Sequence, residues 1–156
     1  MNRLSSLAAV SLLLAAGVFG AQTGTTDEAA RERFVGSWRL VSLEEPVADG
    51  TVHSADCTGL LVFTRDGHMT VQVMYRDPQT GTAAGSVQYA QGGYEASFGR
   101  FTVDPRAGRF TYHVEGALVR SLVGKDLVRQ FELSGKRLVV RSANANEQWR
   151  VTWERD

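Results

Sequence analysis

Residues 58–75, TGLLVFTRDGHMTVQVMY, hold two short apolar runs on either side of Arg65-Asp66-Gly67. Runs rich in Leu, Val, Phe and Thr read as strands, and an Asp-Gly pair between them is a hairpin signal. Gly67 supplies the positive φ of the turn at little steric cost. This stretch predicts antiparallel strands at about 58–64 and 68–76.

The same spacing continues outward in both directions. Strands are expected at 36–44, 97–103, 109–116, 126–133, 137–142 and 147–155. Ser134-Gly135-Lys136 reads as a second hairpin turn, Asp104 to Gly108 as a longer one with Pro105 fixing an early φ, and Asn144-Ala145-Asn146 as the last. Neighbours in sequence then pair in space as an up-and-down meander. Eight such strands leave two exposed edges unless the sheet closes, and closure is the economical solution. The expected fold is all-β, an eight-stranded antiparallel barrel over residues 34–156. An interior of that size is either filled by side chains or holds one small ligand.

Two connections are too long for hairpins: residues 45–57, and the glycine-rich stretch 77–93 with Pro78. Long loops in a compact domain are functional or disordered, so a lid at a barrel mouth and a plain flexible loop stay open for 77–93.

The first twenty residues form a separate unit. Arg3 precedes an uncharged run rich in Leu, Ala and Val, and small residues follow it, the pattern of an export signal with cleavage expected after Gly20. A membrane anchor is the competing reading. A spanning helix needs ~20 apolar residues, whereas this run has about 15, and no cysteine follows it to carry a lipid. Residues 21–33 read as a linker or a short helix, with Thr26 or Asp27 as cap for Thr26 to Arg33. The expected location is periplasmic or secreted, with no membrane insertion after cleavage.

Charge excludes one class of partner. The chain has 17 basic and 17 acidic residues with no basic block, which argues against binding nucleic acid. Cys57 is the only cysteine, so no internal disulfide forms and packing must supply the stability. Its simplest reading is a small buried hydrophobe.

Several segments, in order, resemble the bacterial lipocalin-like domain family: GSWRLVSLE at 36–44 followed by LLVFTRDGHMTVQVM, then FGRFTVD at 98–104, YHVEGALV at 112–119, VGKDLVRQFELSGKRL at 123–138 and TWER at 152–155. The likeness spans roughly 34–155. It implies a calycin-type barrel with an interior cavity. It also implies that Gly36 and Trp38 form the family's GxW element, with the indole at the closed barrel end beneath an Arg of the final strand. The alternation Trp149, Val151, Trp153, Arg155 makes Arg155 the partner to expect rather than Arg150. A guanidinium over an indole gains ~0.5–2 kcal/mol, which accounts for these residues structurally.

Strands expose alternate side chains on opposite faces. On 126–133 the set Leu127, Arg129, Phe131 and Leu133 is the more apolar, which makes Arg129 an inward charge needing a carboxylate or a ligand anion. On 109–116, Phe110, Tyr112 and Val114 oppose Thr111, His113 and Glu115. On 68–76, Met69, Val71, Val73 and Tyr75 oppose His68, Thr70, Gln72 and Met74. Both of these faces stay open. One reading assembles Gln72, Met74, Tyr94, His113, Arg129 and Phe131 into a mixed ligand pocket, with Glu115 neutralising Arg129 or Arg120. His113 and Glu115 are also the pair to consider for acid/base catalysis. No nucleophile elbow, phosphate loop or zinc spacing occurs, and the three His lie on separate elements, so neither a cofactor nor a metal is expected. The reading is an exported barrel that binds or carries a small hydrophobic molecule. The alternative is a barrel enzyme, an isomerase, cyclase or hydratase, acting on such a molecule. Oligomeric state leaves no trace in the sequence.

Overall fold

Thr64, Asp66 and Gly67 close the hairpin quoted first: the Thr64 amide bonds to the His68 carbonyl at 2.9 Å, and Gly67 has φ 87°. The computed structural model describes residues 23–46, 51–76 and 93–156. The expected signal segment and nearly all of the long connection 77–93 lie outside the described residues. Among the described residues a helix, α1 (Thr23–Glu32), leads into nine strands. They are β1 (Gly36–Pro46), β2 (Val52–Ala55), β3 (Cys57–Phe63), β4 (His68–Tyr75), β5 (Tyr94–Asp104), β6 (Arg109–Ala117), β7 (Asp126–Ser134), β8 (Arg137–Ser142) and β9 (Arg150–Arg155). A 3-10 turn, Arg120–Leu122, lies between β6 and β7.

All pairings are antiparallel, and from β3 to β9 each strand pairs with the next. β9 also pairs with β1, Trp38 opposite Arg155 and Glu44 opposite Arg150, with a bulge between Leu40 and Ser42. That ladder closes the sheet into an eight-stranded barrel. β2 and β3 share the other flank of β1: Leu43 to Pro46 oppose Ala55 to Val52, and Gly36 to Arg39 oppose Phe63 to Leu60. They act as one long strand broken at Asp56.

Three expectations change. Residues 45–57 are not a long loop, because Glu45 and Pro46 extend β1 and Val52–Ala55 pairs with it. The last strand starts at Arg150 rather than 147, since Asn144 ties its turn together through its own side chain, bonding the Asn146 amide at 3.1 Å. The helix begins at Thr23, so Thr26 and Asp27 lie inside it rather than capping it.

Burial decides the two open faces. Met69 and Val73 of β4 and Phe110, Tyr112 and Val114 of β6 are buried, so the apolar sets point inward. Desolvating a phenylalanine or valine gains ~1.5–3 kcal/mol, while burying an unpaired His or Gln would cost about as much. One barrel end is filled by aromatic rings. Phe34, on the link between α1 and β1, packs edge-on against Phe63, Phe110 and Phe131, with centroids 5.2, 5.8 and 4.9 Å away. Such edge contacts add about 0.5–1.5 kcal/mol each beyond area burial.

A second bulge separates Phe98 from Gly99 in the β5–β6 ladder. A Cβ on Gly99 would lie 2.0 Å from the His113 carbonyl oxygen, a backbone atom that cannot step aside. Gly99→Ala is expected to cost about 3 kcal/mol by overpacking. It should lower the urea midpoint without changing the slope, and an unchanged midpoint would contradict this geometry.

Candidate functional site

Strands that alternate inward and outward side chains leave a cavity of about 330 Å³ above the aromatic plug. Its wall takes inward residues from all eight strands of the barrel, including Leu43, Leu61, Val71, Val73, Leu127, Val140 and Val151, with Phe110, Tyr112, Trp149 and Trp153 as aromatic panels. Val119, Ser121 and Leu122, in and beside the 3-10 turn, complete it. The opposite end is sealed.

At that sealed end the Arg155 guanidinium carbon stands 4.3 Å from the centre of the Trp38 ring. Arg155 Nη1 donates to the Val35 carbonyl at 2.6 Å, and Nη2 donates to the Arg33 carbonyl. Trp38 Nε1 donates to the Phe34 carbonyl at 2.8 Å. The last strand thereby holds the backbone that carries Phe34. Gly36, φ 133°, leaves room for the guanidinium, since a Cβ there would be 3.3 Å from Arg155 Nη1.

The polar part of the cavity lies toward the other end. Arg129 projects inward from β7 with its guanidinium 4.9 Å from the Trp149 ring centre. Its nearest carboxylate oxygen is Glu147 Oε2 at 3.9 Å, an ion pair beyond hydrogen-bond length, with the two side chains 19% and 32% exposed. Burial pulls the Arg129 pKa down, and Glu147, Glu95 and Tyr112 oppose the shift. Arginine keeps its proton regardless.

Burial alone would raise the Glu147 pKa. Hydrogen bonds from Ser142, Trp149 and Asn144, with the Arg129 charge, outweigh that and hold it below the usual carboxylate range. Glu95, by contrast, is pushed up by burial and only partly pulled back by Arg129. The Tyr112 phenol is pushed up to about 12, mainly by burial. It stays a neutral polar group in the wall.

The six residues assembled from sequence do not form one pocket. Arg129 lines the cavity. Phe131 shares its inward face but packs into the aromatic plug. Gln72, Met74, Tyr94 and His113 occupy the outer surface, where Tyr94 Oη donates to Gln72 Oε1 at 3.3 Å. His113 pairs through Nδ1 with Asp126 at 2.8 Å, and its Nε2 is 3.3 Å from Thr102 Oγ1. Glu115 pairs with Arg100 at 3.3 Å, not with His113, Arg129 or Arg120. The outer placement follows from the same alternation that sends Phe110, Tyr112 and Val114 inward.

Glu95, Tyr112, Glu147 and Trp149, together with Phe110, Ser121 and Trp153, are the polar and aromatic site residues that sequence reading missed. Glu147 and Trp149 were legible, being in phase with Val151, Trp153 and Arg155. Glu95 was hidden because β5 begins three residues before its expected start. Cys57, at the head of β3, is half-buried with its thiol pushed up to about 11 by burial and by the charges of Glu45 and Asp56. No group of three or more His, Cys, Asp or Glu among the described residues could hold a metal ion.

A closed antiparallel meander, one end stopped by an arginine-capped tryptophan and a cavity in the other half, defines the lipocalin-like class of barrel. This chain belongs to the lipocalin-like domain family, whose profile matches residues 35–156. Among solved structures it is similar to a lipocalin-like protein from Bacteroides uniformis ATCC 8492, at 15% identity and a TM-score of 0.47, over 80% of this chain and 99% of that one. None of the curated proteins matches it.

Arg155→Lys keeps the charge and forfeits the planar stack and the fork onto two carbonyls. The expected cost is about 1–2 kcal/mol, with a shift in tryptophan emission. A variant as stable as the parent would show that the clasp is ornamental.

Proposed function

We propose that this protein binds a small, largely apolar molecule inside its barrel. The observation that carries the reading is the cavity of about 330 Å³ itself, walled by apolar and aromatic side chains with only a few polar groups in the wall. Binding sites have this composition: apolar surface gives affinity, and a few polar groups fix orientation. A filled barrel would have no such space; the packed aromatic plug around Phe34 occupies only the sealed end. His113 does not favour the enzymatic reading, because Asp126 and Thr102 occupy its ring nitrogens on the outer surface.

Two of the three tryptophans, Trp149 and Trp153, line the space, so an entering ligand perturbs intrinsic fluorescence. Native mass spectrometry of protein purified from its host should show a retained small molecule. Leu127→Trp, which fills the cavity, is expected to weaken binding of that molecule by more than about tenfold, equivalent to at least ~1.4 kcal/mol, while leaving the circular dichroism spectrum intact. Unaltered affinity in that variant would place the ligand elsewhere.

Export belongs to the same reading. The charge-poor Leu-, Ala- and Val-rich run after Arg3 supports removal of residues 1–20 and release into the periplasm or beyond. The protein recovered from the host's periplasm or medium should then begin at Ala21, and recovery of the uncleaved chain in the cytoplasm would refute it.

A further inference from the structure

We infer that the barrel takes a small apolar amine in its protonated form, its ammonium group beside Glu95 and its hydrocarbon part among Phe110, Tyr112 and Trp153. This deepens the cavity-binding reading and rests on it. Three charged side chains line the cavity among the described residues: Arg129, Glu147 and Glu95. Arg129 is matched in charge, because it stacks on Trp149 and faces Glu147 at 3.9 Å, with no hydrogen bond to its guanidinium among the described residues. Glu147 is committed, accepting from Trp149 Nε1 and Asn144 Nδ2, each at 3.3 Å. One cation and one carboxylate cancel.

Glu95 is left over. No hydrogen bond from the described residues reaches it; only the charge of Arg129 does, and that is already matched. The desolvation felt by Glu95 makes its carboxylate costly to keep empty-handed in the cavity. The undescribed connections 47–50 and 77–92 contain no Lys, Arg or His, so they supply no further cation.

A ligand carboxylate would put a third anion around one guanidinium and is disfavoured by like-charge repulsion. A monocation brings the site to neutrality and donates the hydrogen bonds that Glu95 lacks. Phe110, Tyr112 and Trp153 offer the hydrocarbon part an apolar bed, while Trp149 is already covered by Arg129. Size sets the rest: at roughly 30 Å³ per non-hydrogen atom, the share a water molecule takes, the space holds on the order of ten such atoms.

The test is a matched series of octylamine, octan-1-ol and octanoate, titrated at neutral pH by tryptophan fluorescence with calorimetry as a check. Octylamine should bind about tenfold or more tighter than octanoate, with octan-1-ol between them. In Glu95→Gln the amine should lose about tenfold while octan-1-ol stays within about twofold, which also shows that the variant folds. Octanoate or octan-1-ol outbinding octylamine, or an amine preference that survives Glu95→Gln, would overturn the amine assignment and leave the cavity reading standing. Failure of all three probes to bind, with no small molecule retained in native mass spectra, would overturn both.

Discussion

The ladder between β1 and β9 is the constraint on which the rest of the molecule depends. Without it Trp38 and Arg155 would lie on opposite edges of an open sheet, and neither could reach the other. With it the final strand delivers a guanidinium onto the indole and onto the Arg33 and Val35 carbonyls, fixing the short link that carries Phe34. Phe34 then has one place to go, against the rings of Phe63, Phe110 and Phe131. Closure of the sheet and stoppering of its end are therefore one event. The hollow above is a remainder: wall residues there, such as Val71, Val73, Val140 and Val151, are shorter than the radius they would have to fill.

The charges in the wall follow a different logic. An arginine pointing inward is expensive unless its surroundings compensate it, and compensation here comes in two unequal parts. Glu147 is held ionised by a ring of donors from its own loop, so its pairing with Arg129 is built in. Glu95 has no such ring. That asymmetry leaves one carboxylate of the wall with no donor among the described residues.

Much of the architecture was legible because period-two alternation is printed into the chain. The turns at Asp66-Gly67 and Ser134-Gly135 set strand register, the GxW element and Arg155 marked the sealed end, and Arg129 was placed inward by its neighbours Leu127, Phe131 and Leu133. The pocket was less legible. On β4 and β6 both faces carry residues that suit a binding site, and family likeness of the YHVEG run drew His113 inward against the stronger pull of Phe110, Tyr112 and Val114. Two carboxylates escaped for other reasons: Glu147 keeps the phase of β9 but enters the cavity from the turn before it, and Glu95 lies on a strand longer than its apolar run. β2 was missed because VHSA lacks any apolar rhythm and is held by its partner on β1 alone.

A lone thiol in an oxidising medium ordinarily ends as a covalent dimer or a sulfenic acid, because the thiolate is the species that reacts. With its thiol pushed up to about 11 by burial and by Glu45 and Asp56, Cys57 keeps its proton at neutral pH, and the protonated form is the unreactive one. The half-buried position beside Glu45 and Asp56 therefore acts as a passivating layer, and the polypeptide keeps an unpaired sulfur without the chemical cost that usually attends one.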